Sequence, residues 1–203
     1  MIICVFGDSL AYGAWDKEGG WVQRLRKFLD EKNMSDDDNF YIVYNLGISG
    51  INSDHLIQFF ESEIKTRVNV YEKDMLILVE IGTNDAQSNA DGIFRVPVEK
   101  YEKNVKKMIE ISKKYGSKIA FLGNTSVDES KTNPIPWNTK EFYKNKDIEK
   151  IFSVLKKVCK KEKIDYIELG KISLHKDGIH PNSEGHKIIF EAVKDFLIKN
   201  KII

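Results

Sequence analysis

The sequence predicts an α/β protein in which a five-stranded, mainly parallel sheet lies between two layers of helices. Short runs rich in β-branched and aromatic residues recur along the chain, and longer amphipathic segments separate them. Right-handed crossovers between parallel strands place helices on both faces of a sheet, which gives a three-layer α/β/α sandwich. At 203 residues, the chain is expected to form a single domain spanning residues 1–203.

The predicted elements alternate along the chain. Apolar residues at helical spacing define the helices; in the predicted helix 97–115, for example, an apolar stripe faces a lysine-rich surface. The predicted strands are residues 2–6, 41–46, 75–81, 118–122 and 165–167, and the predicted helices are residues 20–32, 53–68, 97–115, 144–161 and 182–200.

Composition excludes several classes of protein. Hydrophobic residues make up 41% and charged residues 31%, which is unlike a disordered chain. The 32 Lys and Arg nearly cancel the 31 Asp and Glu, so nucleic acid is not an expected partner. Cys4 and Cys159 have no CxxC spacing and are expected to be ordinary buried thiols. No signal sequence or membrane span is recognisable, so a cytoplasmic protein is expected.

Two segments predict a nucleophile and its base. Gly7-Asp8-Ser9-Leu10 directly follows the first strand, so the Ser9 hydroxyl is expected at the turn after that strand. A serine hydroxyl needs a neighbouring base to become a nucleophile. Asp177-Gly178-Ile179-His180-Pro181-Asn182 precedes the last helix, and there Asp177 could orient His180 toward Ser9. Taken alone, this second segment could equally be a helix cap.

Two further segments offer donors for the oxyanion of a tetrahedral intermediate. Gly50, after the second strand, lets a backbone N–H approach a substrate closely. Asn84, after the third strand, carries an amide that donates without titrating. With the Ser9 N–H, they predict a site with three donors. Each motif is weak alone, but all of them follow predicted strands or precede a helix, where sites of open α/β sheets gather.

The four blocks together resemble the SGNH hydrolases, also called the GDSL esterase/lipase family. FGDSL matches the nucleophile block with Ser9, NLGISG the glycine-donor block with Gly50, GTND the asparagine block with Asn84, and DGIH the final block with Asp177 and His180. The match covers nearly the whole chain, without a substitution in the functional letters. The resemblance implies a flavodoxin-like α/β/α fold, no cofactor, and hydrolysis of acyl esters or thioesters.

The predicted activity is that of a short-chain carboxylesterase whose partner is a small-molecule acyl ester. Alternatives within the family are a carbohydrate acetylesterase and a lysophospholipase or thioesterase. A catalytically silent ligand-binding module is the non-enzyme alternative, although such a protein would be expected to have lost a catalytic residue. A nucleotide-binding flavodoxin-like protein is disfavoured because no phosphate-binding glycine motif follows the first strand.

Candidate pocket residues are aromatic side chains and prolines in loops. Tyr12 and Trp15 follow the nucleophile, and Pro136 and Trp137 lie in the long segment 124–142, which is expected to shape the acyl or alcohol pocket. Trp21 is expected in the core instead. With Asp177 and His180, His175 forms an H-x-D-x-x-H pattern, but no metal is expected because His180 is committed to Ser9. No role is predicted for His55 or His186.

Overall fold

A five-stranded parallel sheet forms the centre of the protein, as the sequence predicts. The computed structural model describes residues 1–35, 40–71, 74–123 and 125–203. The strands are β1 (Ile2–Gly7), β2 (Ile42–Gly47), β3 (Met75–Glu80), β4 (Ser88–Asn89), β5 (Lys118–Leu122), β6 (Glu141–Phe142) and β7 (Asp165–Ile167). The main sheet has the order β2-β1-β3-β5-β7, and β4 pairs with β6 in a separate antiparallel ribbon. The main order is that of a flavodoxin-like sheet.

Helices cover both faces of the sheet. They are α1 (Ser9–Tyr12), α2 (Gly20–Ser35), α3 (Ser53–Tyr71), α4 (Val98–Lys114), α5 (Glu129–Thr132), α6 (Asn145–Glu162) and α7 (Ser183–Lys199). Helices α3, α4 and α6 contribute to the hydrophobic cluster on one face, and α2 and α7 contribute to the cluster on the other. The result is the predicted three-layer α/β/α sandwich.

The central strand β1 explains why both faces must be covered. All six of its residues are buried, and successive side chains alternate between the two clusters. Ile2 and Phe6 pack on the side of α3, whereas Ile3 and Val5 pack on the side of α2. Trp21 is fully buried in the second cluster, which confirms its predicted place in the core.

The carboxyl ends of the strands bring the predicted motifs to one edge. In the parallel register Gly7 of β1 lies opposite Gly47 of β2 and Glu80 of β3, so the loops that follow these strands start side by side. The segment 124–142, predicted only as a long loop, contains α5 and β6, and Asn124 lies outside the described residues. The edge therefore gains an extra wall from the β4–β6 ribbon.

Candidate active site

Ser9 is the first residue of a single-turn helix that begins where β1 ends. Asp8 is its N-cap, and its Oδ1 accepts a hydrogen bond from the Leu10 N–H at 3.0 Å. Gly7 is required by close packing, because a Cβ there would lie 2.5 Å from the Glu80 carbonyl oxygen. Ser9 is 6% exposed, so its hydroxyl sits in a sheltered position at the sheet edge.

His180 joins Ser9 to Asp177. The His180 Nε2 atom lies 2.9 Å from Ser9 Oγ, and Nδ1 lies 2.8 Å from Asp177 Oδ2. Asp177 Oδ1 accepts the backbone N–H groups of Ile179 and His180, each at 3.0 Å. Burial alone would raise the pKa of Asp177, but these N–H groups and the His180 ring hold that pKa below its usual range. Asp177 is thus an anion that fixes the His180 ring.

One contact bears on the His180 tautomer. The Trp15 Nε1 atom lies 3.0 Å from His180 Nδ1, the atom that also faces Asp177. Because a carboxylate only accepts, Nδ1 must carry the proton, and a protonated Nδ1 cannot accept from the indole N–H. The Nδ1–H hydrogen bond to the fully charged Asp177 carboxylate is stronger than a hydrogen bond from the neutral indole N–H would be, so Asp177 determines the tautomer. Nε2 is then left with a lone pair for the Ser9 hydroxyl, while Trp15 lies edge-on to the His180 ring, with centroids 5.7 Å apart.

Two of the three predicted oxyanion donors are backbone groups in suitable surroundings. Within the described part of the chain, the N–H groups of Ser9 and Gly50 donate to no protein acceptor. The Ser9 N–H belongs to the first turn of a helix, where N–H groups lack intrahelical acceptors. Gly50 has a φ of 80°, and a Cβ at this position would meet no atom within 4 Å, so the backbone lies open to the cavity.

The third predicted donor, Asn84, already has protein partners. Its Nδ2 donates to Asp8 Oδ2 at 3.0 Å and to the Ile51 carbonyl oxygen at 2.9 Å. Its Oδ1 accepts from the Tyr143 hydroxyl at 2.6 Å. These three contacts fix the orientation of the amide. A substrate oxygen would therefore have to share or replace one of the acceptors of Nδ2.

The loop after β3 is anchored by a second buried carboxyl group. Asp85 accepts the Ser53 hydroxyl at 2.5 Å and the Ser53 N–H at 3.1 Å, at the start of α3. Asn104 of α4 donates to the same Ser53 hydroxyl at 2.8 Å. Burial raises the pKa of Asp85 to about 7, against the lowering effect of the Ser53 hydrogen bonds. Asp85 thereby ties the segment that carries Asn84 to two helices.

A cavity of about 420 Å³ opens beside Ser9, and it contains most of the predicted site. Trp137, one of the four predicted pocket residues, lines it. Tyr12 and Trp15 instead line a neighbouring groove of about 580 Å³, and Pro136 lines neither. The residues that line the cavity are Asp8, Ser9, Leu10, Ser49, Gly50, Thr83, Asn84, Gln87, Arg95, Trp137, Glu141, Tyr143, Ile179 and His180.

The wall opposite the triad was not predicted from the sequence. Arg95 Nη1 donates to Gln87 Oε1 at 3.3 Å, and Gln87 Nε2 donates to Glu141 Oε2 at 2.8 Å. Glu141 comes from β6, which the two-residue β4 holds in place. Strands of two residues have no periodic signal, so only Gln87, three residues after Asn84, could have been suggested by its position.

His186, for which the sequence predicts no role, lies in the core. It is fully buried, and its Nε2 contacts the Ala14 carbonyl oxygen at 3.1 Å. Burial lowers its pKa, so it is neutral and able to donate to Ala14. His186 therefore holds the loop after the nucleophile against α7.

Two absences among the described residues bear on other functions. No group of three or more His, Cys, Asp or Glu side chains is arranged to hold a metal there, and His175 Nδ1 lies 3.6 Å from Asp177 Oδ2. Among the described helices, none has both the length and the apolar character needed to cross a bilayer.

Comparison with known sequences identifies the family of the chain. A sequence model of the GDSL-like lipase/acylhydrolase family matches residues 3–193. No curated protein sequence shows a significant match.

Several solved structures share the fold. The acetyl xylan esterase AlAXEase has 20% identity and a TM-score of 0.73, with 97% of this chain and 100% of that chain covered. A lipase/acylhydrolase from Enterococcus faecalis has 18% identity and a TM-score of 0.75, with 98% and 96% covered. A variant of an acetyl xylan esterase from Geobacillus stearothermophilus has 17% identity and a TM-score of 0.70, with 98% and 93% covered. From its sequence match over residues 3–193, the chain belongs to the GDSL-like lipase/acylhydrolase family of hydrolases.

Proposed function

We propose that the protein is a serine ester hydrolase that cleaves small acyl esters through an acyl-enzyme intermediate on Ser9. The observation that carries the proposal is the continuous contact from Ser9 Oγ to His180 Nε2 and from His180 Nδ1 to Asp177, at 2.9 and 2.8 Å. Both distances are within the range of hydrogen bonds that transfer a proton. The proposed chemistry uses side chains, backbone N–H groups and water, without a cofactor.

Acylation would proceed by general base catalysis. His180 Nε2 takes the Ser9 proton as Oγ attacks the ester carbonyl carbon, and the negative charge develops on the carbonyl oxygen. The N–H groups of Ser9 and Gly50 stabilise that oxygen, and Asn84 joins them if its amide shares one N–H. His180 then gives the proton to the departing alcohol oxygen, and the acyl group stays on Ser9.

Deacylation repeats the same steps with water. His180 removes a proton from water, the resulting hydroxide attacks the acyl carbon, and the proton returns to Ser9 Oγ as the acid leaves. Asp177 stays ionised and stabilises the imidazolium that forms twice in each cycle. Its lowered pKa suits that role.

The direct test replaces Ser9 and compares the result with a matched control. Ser9→Ala should remove the hydrolysis of p-nitrophenyl acetate almost entirely, leaving only the residual rate that binding and the oxyanion donors supply. Ser49→Ala also removes a hydroxyl that lines the cavity, but one outside the triad, and should stay within about threefold of the parent kcat. Parent activity in a folded Ser9→Ala protein would refute the proposal. So would covalent reaction of the folded Ser9→Ala protein with a fluorophosphonate at the rate seen for the parent.

A second candidate, a carbohydrate acetylesterase, is favoured by the surfaces around the cavity. Tyr12, Trp15 and Trp137 are 59%, 62% and 61% exposed, and exposed aromatic rings suit the apolar faces of sugars. Arg95 and Glu141 offer a donor and an acceptor for hydroxyl groups. Two of the structural neighbours described above carry the name acetyl xylan esterase.

The two candidates can be separated by one substitution and two substrates. If Trp137 stacks on a sugar, Trp137→Ala should lower kcat/KM for an acetylated xylo-oligosaccharide about tenfold and change that for p-nitrophenyl acetate less than twofold. Equal effects on both substrates would favour the simple short-chain esterase. Tyr41→Phe, at an aromatic residue outside both cavities, is the control for nonspecific effects on folding.

A further inference from the structure

We propose that Glu80 is held as a neutral carboxylic acid beneath the nucleophile, where it donates a hydrogen bond to Asp8 and keeps Asp8 as the anion that positions Ser9 and Asn84. The inference rests on the proposed function, because it concerns residues that position the same reaction. Glu80 does not line the cavity beside Ser9, so its proposed role is positioning.

The first observation is two carboxyl groups in contact in the core. Asp8 is 0% exposed and Glu80 is 1% exposed. Gly7 lies opposite Glu80 in the register of β1 and β3, so Asp8, the next residue, starts beside Glu80, and each of the two carboxyl groups shifts the pKa of the other. A hydrogen bond between them requires a proton on one, because two carboxylates only accept. Two negative charges at this depth would also repel strongly. The pair therefore holds at least one proton.

The second observation assigns that proton to Glu80. Asp8 receives the Leu10 N–H and the Asn84 amide, each at 3.0 Å, and both favour an anion. Glu80 Oε2 is buried, and no hydrogen-bond donor among the described residues reaches it. Burial and then the Asp8 charge raise the pKa of Glu80 well above its usual range, and they outweigh the lowering effect of the backbone N–H groups of Ala11 and Asp8. Burial raises the pKa of Asp8 only to about 6, because its donors and His180 oppose the rise.

Other titratable groups face this pair from every side. The negative charge of Asp8 contributes to the raised pKa values of Asp85 and Tyr143. The charge of His180 lowers the pKa of Asp8. In the helical layer, Tyr101 of α4 has a raised pKa to which the charge of Glu80 contributes. Of these groups only His180 becomes cationic, when it accepts the Ser9 proton. An anionic Asp8 then stabilises the imidazolium in addition to Asp177.

The third observation connects the proton to the oxyanion donor. An anionic Asp8 accepts only, so it requires the NH2 side of the Asn84 amide, while the Tyr143 hydroxyl donates to the oxygen side. The amide therefore cannot rotate by half a turn without placing its oxygen against a carboxylate. If Asp8 took the proton instead, its share of this restraint would be lost, and only the Ile51 carbonyl oxygen would still require the NH2 side. The proton on Glu80 thus preserves the orientation of Asn84.

The test compares two replacements of Glu80 of similar size. Glu80→Leu removes the donor to Asp8 and should lower kcat about 10-fold to 100-fold with KM changed less than threefold. Glu80→Gln has an amide that donates as the neutral acid does, and should restore kcat to within about threefold of the parent. A Glu80→Gln protein that is folded but as slow as Glu80→Leu would overturn the proposal, because a carboxylate would then be the required form.

A spectroscopic measurement covers the case in which neither variant folds. At pH 7.5 the infrared spectrum of the parent should contain the C=O stretch of a protonated carboxyl group, and the band should persist in Asp85→Asn, which removes the other acid with a strongly raised pKa. Absence of the band in Asp85→Asn would overturn the proposal. Full activity of Ser9→Ala would refute the proposed function but would not remove the infrared band. Failure of the proposed function and failure of the Glu80 proposal can therefore be told apart.

Discussion

Replacing Asn84 by alanine should slow catalysis far more than it weakens substrate binding. The amide is held by Asp8, Ile51 and Tyr143 at 2.6 to 3.0 Å, so it is oriented before substrate arrives. Removal of one such donor from an oxyanion site lowers kcat by about 10² to 10³, or about 3 to 4 kcal/mol. Because the charge on the oxygen develops only in the transition state, KM should change little.

The same substitution should also destabilise the fold, by a separate mechanism. It leaves Asp8 Oδ2 and the Tyr143 hydroxyl without their partner in a buried site. Each unpaired buried group costs about 1 to 3 kcal/mol. Thermal unfolding should therefore begin at a lower temperature, and activity must be measured well below it.

Steady-state hydrolysis of p-nitrophenyl acetate, with thermal unfolding measured on the same samples, separates these effects. Tyr143→Phe is the matched control, since it keeps the Asn84 amide but removes the hydrogen bond that orients it. It should lower kcat by about 3-fold to 10-fold. The reasoning is refuted if folded Asn84→Ala protein keeps a kcat within threefold of the parent, since the amide would then have no part in stabilising the oxyanion.

The remaining predictions concern charge and the unpredicted wall of the cavity. Asp177→Asn should lower kcat by about 10⁴ at pH 7 in the same esterase assay, because the amide no longer enforces the tautomer that leaves His180 Nε2 free to accept. Asp85→Asn should make the melting temperature less sensitive to pH. The folded protein keeps a proton on Asp85 up to about pH 7, whereas the unfolded chain releases it near the usual pKa of 3.8. The contribution of Asp85 to the free energy of unfolding is therefore complete below about pH 4 and falls by up to about 4 kcal/mol as the pH rises to about 7. Gln87→Ala should lower kcat/KM for bulky esters more than for p-nitrophenyl acetate, measured over a series of alcohol groups, because it breaks the hydrogen bonds that join Arg95 to Glu141.

The strands were predictable because burial on both faces leaves a continuous apolar run. Strand β3 shows both the strength and the limit of this signal. Its run of Met, Leu, Ile, Leu and Val identifies the element, but Glu80 at its end carries an acid into the core. A lone acid in an apolar strand indicates that a buried partner must exist. It does not identify Asp8, which lies more than seventy residues away in sequence.

The candidate site was predictable where each residue follows a strand or precedes a helix. Ser9, Gly50, Asn84 and the Asp177–His180 pair all meet at the expected edge. The short helix α1 has only four residues and so has no helical periodicity to read.

Contacts between distant segments were beyond the reach of sequence patterns. The partners of Asn84 come from separate loops, and the groove lined by Tyr12 and Trp15 is set apart from the main cavity by the way the loop after Ser9 folds. Such contacts depend on tertiary packing, which neither propensity nor spacing encodes locally.

The identity of the nucleophile is tested most directly by peptide mapping after reaction with a fluorophosphonate. We predict one phosphonyl adduct per chain, located by mass spectrometry on Ser9, formed much more slowly in His180→Ala and absent from Ser9→Ala. An adduct on any other residue, or labelling of Ser9 at the parent rate without His180, would contradict the account.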